Sequence, residues 1–361
     1  MSEPRQSRPL VGVTMGDPAG IGPEVIAKGH RAASEHARVV VVGDADVLRA
    51  AVDLCGVDLE VRSAGEPAGA TDDPAIVDVL DLDRVDAGAL ERGVVDESYG
   101  RASLAYVERA IDLAIEGGIA AMATAPINKQ STRLAGSDHA GHTGLLAERT
   151  GTDRYSMLLI EDPLRVSHVS THVPLPEACD LVTEESVLET IRVTDGALRE
   201  LGIADSTVAV AGLNPHAGDG GLLGDTDSEV IAPAVEQARG EGINAVGPES
   251  PDTVYVQAAG GAYDCVVSMY HDQGHIPIKM LGFAGGEAVS GVNVTIGLPI
   301  VRTSVDHGTA FDIAGEGVAS ATSLVEAVEV AAEMAATRAD RAAADPGSGL
   351  APEQPGVDGE S

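Results

Sequence analysis

The stretch SMYHDQGHIPIKM, Ser268 to Met280, sets His271, Asp272, His275 and Lys279 within nine positions, directly after an apolar run. Imidazoles bind metals or move protons, a neighbouring carboxylate orients an imidazole, and a lysine shuttles a proton or holds an anion. Two more histidines stand in comparable places. His172 ends LRVSHVSTH and His216 follows VAVAGLNP, as His271 follows DCVVSMY. Each lies just beyond the carboxyl end of a predicted strand, where open parallel sheets bind their ligands. Three neutral imidazoles meeting there would form a divalent-metal site with open coordination positions. The alternative is three separate loop histidines bonded to backbone carbonyls, since roughly 40 to 55 residues separate successive candidates.

A second group of residues suits an anion. Lys129 follows a predicted strand in ATAPINKQ, and His142 and Thr143 sit on the glycine-flanked turn GHTG. In residues 291–317 a strand leads through Gly-Leu-Pro to Arg302 and then Asp306-His307-Gly308; an arginine past a strand end is a bidentate clamp for phosphate or carboxylate. Ordinary turn chemistry and a surface ion pair are the competing readings. Lysine occurs only at 28, 129 and 279, so two of the three fall inside these motifs.

The elements that must position these groups read as α/β. Short β-branched runs (LVGVTM, RVVVV, IAAMATAP, YSMLLI, LRVSHVST, STVAVAGL, DCVVSM and VNVTIGLP) alternate with helical patterns, the mark of a largely parallel sheet. A helix opens at GPEVIAKGH with Pro23 in its first turn, and another spans 98–118. Residues 57–95 are acidic and irregular. Ser323 and Glu326 have the spacing of a capping box for a last helix. With 361 residues, 44% hydrophobic and 2% aromatic, the core must be built from Val, Ile, Leu and Ala.

Twenty-three basic against 57 acidic residues gives a net charge of −34, which argues against nucleic acid or an anionic membrane as partner. An acidic, strongly hydrated surface of the halophilic kind accounts for it, with salt screening the self-repulsion. No apolar run approaches the ~20 residues of a membrane span. MSEPRQSRPL lacks the apolar stretch of a secretory signal, and Cys55, Cys179 and Cys265 show no CxxC spacing, so a reduced, cytoplasmic protein is expected. GDPAGIG lacks both the G-x-G-x-x-G pattern and the Lys-Ser/Thr of a P-loop; GxSxG and HExxH are also absent.

Taken in order, GDPAGIGPE, GHTG, STHVPL, GLNPHAGDGG, YHDQG, GVNVTIGLP and RTSVDHGTAFDIA resemble the 4-hydroxythreonine-4-phosphate dehydrogenase family of vitamin B6 biosynthesis, over residues 10 to 335 without the 57–95 region. The resemblance implies an isocitrate/isopropylmalate-dehydrogenase-like fold, two α/β domains with a cleft between them, and a homodimer whose sites are shared between subunits. It implies one divalent metal (Zn, Mg, Mn or Co) held by His172 and His216, with His271 reaching in from the partner. His142, Thr143, Lys279, Asn293 and Arg302 would contact a phosphorylated substrate, Lys279 and Asp272 would serve catalysis, and Asp272 and Asp252 would support the ligand histidines. NAD would oxidise the C3 hydroxyl of 4-phosphooxy-L-threonine, and the resulting β-keto acid would lose CO2. A sister branch acting on 4-phospho-D-threonate or 4-phospho-D-erythronate shares this chemistry, and GHIPIKMLGF looks more like that branch.

The expected organisation is a flexible N-terminus at 1–8; an α/β domain of 9–130 with 303–339 that contributes to NAD binding; a substrate, metal and dimerisation domain at 131–302; and a disordered acidic tail at 340–361. Two departures from the family stand out: Gly144 where it usually has Glu, and a lengthened segment at 280–292. A metal-dependent phospho-metabolite hydrolase or acyl-phosphate transferase, or a non-catalytic binding protein, is the competing class of reading.

Overall fold

The computed structural model describes residues 8–137, 142–284 and 291–344. Expectations for residues 1–7, for 285–290 within the 280–292 segment and for 345–361 lie outside these described residues. The first half of the chain runs β1 (Leu10–Thr14), α1 (Gly22–His36), β2 (Arg38–Gly43), α2 (Ala45–Cys55), β3 (Glu60–Ala64), β4 (Ile76–Asp81), α3 (Glu97–Ile115), β5 (Ala121–Thr124) and α4 (Lys129–Leu134). The second half opens with α5 (His142–Thr150), β6 (Ser156–Glu161), β7 (Leu164–His168), α6 (Leu175–Asp180), α7 (Glu184–Glu200) and β8 (Val208–Ala211). It continues with α8 (Ala232–Gly240), β9 (Ala245–Glu249), α9 (Val254–Ala259), β10 (Cys265–Ser268), α10 (His271–Ala284) and β11 (Val292–Ile296). The chain then returns to the first half as β12 (Arg302–Val305) and ends in α11 (Thr322–Ala344).

All these strands join one sheet in the order β3-β4-β2-β1-β5-β12-β11-β6-β7-β10-β8-β9. Pairing is parallel from β3 to β12 and again from β7 to β9. Three antiparallel pairs, β12·β11, β11·β6 and β6·β7, join the two parallel blocks. The valine run of β2 is buried along almost its whole length, as strands covered on both faces require. With so few aromatics, the core is built of Val, Ala, Leu and Ile around Tyr106. Among the described residues, no helix is long and apolar enough to cross a membrane.

Several elements differ from the sequence expectation. The irregular 57–95 region holds β3 and β4, and two strands, β9 and β12, carry no clear apolar pattern. The last helix runs to Ala344, past the expected tail boundary at 340, because alanine-rich residues sustain it. Ser323 and Glu326 form no capping box. Ser323 Oγ donates to the Gly291 carbonyl at 2.8 Å, and Glu326 Oε2 accepts from Gly291 N at 3.0 Å. The pair fixes the start of β11 instead of the start of its own helix.

The GDPAGIG loop is shaped by packing. A side chain at Gly22 would come within 2.2 Å of the Met15 carbonyl oxygen, so close approach of the chain to itself requires glycine there. Asp17 is fully buried; its Oδ1 accepts from Ala19 N at 2.9 Å, while Oδ2 has no partner. Burial pushes this carboxyl up to about 6 from an ordinary value near 3.8. Ionised Asp17 therefore weighs against folding above pH 6, by up to about 3 kcal/mol. The deficit is relieved as pH falls from 6 to 4, where the folded form holds a proton that the unfolded form lacks. Urea unfolding across this window should show wild type gaining stability relative to Asp17→Asn as the pH drops; parallel curves would refute the assignment.

Candidate active site

The carboxyl ends of β5, β12 and β7 and the amino ends of β11 and β6 line one cleft of about 680 Å³, together with Lys129, His142, Thr143, His172, Arg302 and His307 among others. Arg302 does not follow a strand, as its sequence context suggests; it is the first residue of β12 and only 3% exposed. Its guanidinium donates to Thr295 Oγ1 at 3.0 Å and Thr124 Oγ1 at 2.7 Å, while Nε has no partner. Among the described residues no carboxylate pairs with it, and burial alone drags its proton affinity down to about 9. An uncompensated buried cation is costly.

Other orphan atoms share the cleft. His142 Nε2, His307 Nε2 and Asn293 Oδ1 are buried without hydrogen-bond partners. Burial, followed by the nearby Arg302 and Lys129 charges, holds His142 well below the usual imidazole range. His142 and Thr143 open α5, and Asn293 stands on β11 opposite Ser304 of β12. The arrangement is a cationic cleft short of an anion.

The histidines gather at one side of it. His172, four residues past β7, and His271, the first residue of α10, have ring centroids 5.4 Å apart within a single chain. Burial, then the Lys129 charge, lowers the His172 proton affinity, which keeps its nitrogens free to ligate. His271 Nδ1 lies 2.7 Å from Asp272 Oδ1. His216 stands elsewhere, exposed, with Nδ1 3.5 Å from Ser250 Oγ and 3.7 Å from Asp252 Oδ2. No ring contact joins it to the other histidines among the described residues. Within one chain, no three His, Cys, Asp or Glu residues among those described converge to hold an ion.

His216 belongs to an unusual turn. His216, Ala217, Gly218, Asp219 and Gly220 all have positive φ, from 45° to 80°. Each non-glycine residue there costs roughly 1–2 kcal/mol. Asp227, 1% exposed, offsets that cost by accepting from Leu213 N at 2.8 Å, Asn214 N at 3.3 Å and Asn214 Nδ2 at 2.7 Å. Replacing Asp227 by alanine leaves these three part-buried donors without their acceptor and should lower the unfolding free energy by about 2–4 kcal/mol in urea titrations. A change under about 0.5 kcal/mol would show that the turn is held by something else.

Lys279 is not part of the cleft lining; its ammonium pairs with the Asp306 carboxylate and lies 3.2 Å from the Asp306 carbonyl. Asp272 meets His271 rather than the cleft. His275 and Asp306 stand in motifs that the sequence singles out, but it gave neither a partner; buried His168, at the end of β7, gave no signal.

A mixed α/β sheet with its polar groups gathered in a cleft at strand ends is of the isocitrate-dehydrogenase-like class, and comparison with known proteins refines it. Residues 35–331 match the family described as pyridoxal phosphate biosynthetic protein PdxA. A 4-hydroxythreonine-4-phosphate dehydrogenase of Desulforapulum autotrophicum is 45% identical over 329 residues, 90% of this chain and 95% of its own length. A D-threonate 4-phosphate dehydrogenase of Pectobacterium atrosepticum is 43% identical over 328 residues, 90% and 99% of the two chains. A crystal structure of 4-hydroxythreonine-4-phosphate dehydrogenase from Klebsiella pneumoniae superposes with TM-score 0.82 at 44% identity, covering 92% of this chain and 99% of that one. The chain belongs to the PdxA family.

Proposed function

We propose that this chain is an NAD- and divalent-metal-dependent dehydrogenase that oxidises the secondary alcohol of a 4-phosphorylated four-carbon acid, the β-keto product then losing CO2. The observation that carries the reading is Arg302, a buried guanidinium with no counter-charge among the described residues, facing a cleft of orphan polar atoms. A phosphate dianion supplies the missing charge and accepts a bidentate fork. His142 and Thr143, at the start of α5, add further donors to the same oxygens.

The histidines suit a metal in chemistry. Asp272 beside His271 and Asp252 near His216 leave each Nε2 for a cation. A nitrogen-rich set favours zinc or a similar transition metal over magnesium. We assign His172 and His271 to one protomer and His216 to a second copy of the chain, since only the first two meet here. A divalent ion so held would supply Lewis acidity to the alcohol and the new carbonyl, with NAD as hydride acceptor. Lys279, within α10 and outside the cleft lining, is paired with Asp306 here; released from that pair, it would carry the proton that returns after CO2 leaves.

Charge favours a hydroxy acid over an amino acid as substrate. Among the described lining residues, the fixed charges are those of Lys129 and Arg302 against a single carboxylate, Asp153. An acid anionic at both ends suits this better than one bearing an ammonium group, which reverses the order that the resemblance suggests. NADH formation with 4-phospho-D-threonate and with 4-phosphooxy-L-threonine, in high salt with Zn²⁺, Mn²⁺ or Mg²⁺, tests it. The hydroxy acid should show the higher kcat/KM. No NADH with either would sink the dehydrogenase reading, and phosphate release without NAD would favour a hydrolase.

A further inference from the structure

His275 has no part in the chemistry above, yet it is tied to the rest of the histidine cluster on three sides. Its Nδ1 lies 3.1 Å from Nε2 of His168 and 3.0 Å from the His271 carbonyl oxygen. Its ring lies flat on that of His271, with centroids 3.6 Å apart and planes 10° from parallel. We propose that His275 is a positioning residue that holds the imidazole of His271 in its metal-binding orientation, through a hydrogen-bonded chain anchored in β6.

The chain of donors is fixed by what its ends can do. The Met157 carbonyl, 3.4 Å from His168 Nδ1, can only accept, so His168 carries its proton on Nδ1 and Nε2 accepts. His275 Nδ1 therefore donates, sharing its proton between His168 Nε2 and the His271 carbonyl. That fixes the tautomer and plane of the His275 ring, leaving a neutral flat face for His271 to rest on.

The fold permits this because of one glycine. A side chain on Gly274 would lie 2.5 Å from Val166 Cγ1 and 2.6 Å from His168 Nε2, so α10 can approach β7 this closely only with glycine there. His271 is thus constrained at its edge by Asp272 and across its face by His275. Both constraints remove side-chain freedom before an ion arrives, which strengthens binding. A neutral ring beside the ligand also adds no charge to repel a dication.

The proposal rests on the metal reading, and the test separates the two. Zinc affinity is measured on the full-length protein by competition with a chromophoric chelator, alongside the thermal midpoint of the metal-free form. His275→Leu removes both ring and donor. His275→Asn keeps an N–H close to the Nδ1 position for His168 but removes the stacked ring. Both variants should bind zinc about 10- to 100-fold more weakly than wild type. His275→Asn should keep a near-wild-type midpoint, a split that a purely structural role would not give. Zinc affinity within twofold of wild type in His275→Asn overturns the proposal whatever the midpoints do. Failure of wild type itself to bind zinc, manganese or cobalt overturns the metal reading instead.

Discussion

Arg302→Met is expected to raise the thermal midpoint in phosphate-free buffer while cutting kcat/KM by roughly 30- to 5,000-fold. Both effects have one cause. Among the described residues the guanidinium is buried without a carboxylate and bonds two threonine hydroxyls, so in the free protein its charge is a liability. An apolar side chain of similar length relieves that strain. In the proposed complex the same charge would meet the substrate phosphate in the cleft. Loss of one partner of such a buried pair costs about 2–5 kcal/mol, which sets the range in rate. Inorganic phosphate provides the internal control: it should raise the midpoint of wild type and leave the variant unmoved. Equal stabilisation of both proteins by phosphate would remove Arg302 from the anion site.

The second large effect concerns how the histidines are shared. Alanine at position 172, 216 or 271 should reduce turnover on the order of 1,000-fold or more, since several kcal/mol of charge stabilisation at the reacting oxygens is lost. Mixing the inactive variants then reads out the site's composition. With His172 and His271 from one protomer and His216 from the other, mixing H216A with H271A rebuilds one intact site in each mixed dimer. Random reassortment then returns about a quarter of wild-type activity. H172A with H216A should do the same, whereas H172A with H271A should recover nothing. The arrangement implied by the family resemblance, with His271 alone crossing over, predicts recovery for H172A with H271A and none for H172A with H216A. Subunit exchange followed by an NADH assay distinguishes the two arrangements, and no recovery in any mixture would mean that sites are not shared at all.

The sequence made the α/β architecture legible because buried parallel strands write themselves as β-branched runs; β2, β7, β8 and β10 all stand where those runs lie. Strands that lean on neighbours were harder to see. β12 begins with an arginine and alternates polar residues, and only its place between β5 and β11 makes it a strand. The same cause hid the burial of Arg302, since nothing in RTSV indicates that its first residue is buried. Cleft residues announced by chemistry and position, such as His142 and Thr143, were readable, whereas Asn293 entered only through the family resemblance. Pairings across distant segments, such as Lys279 with Asp306 or His168 with His275, were not, because one-dimensional spacing carries no information on which helix lies over which strand. Ser323 and Glu326 show the opposite hazard: a correct local pattern whose groups bind a different segment.

One sheet passes unbroken through both halves, and the seam at β11 and β12 consists of hydrogen-bonded antiparallel strands rather than a linker. Any approach of the two halves must therefore twist or coil that hydrogen-bonded seam, and the loops and helix ends around the cleft move with it. Mutations that stiffen or loosen Val292–Ile296 would then tune catalysis from beneath the active site, without touching anything that binds.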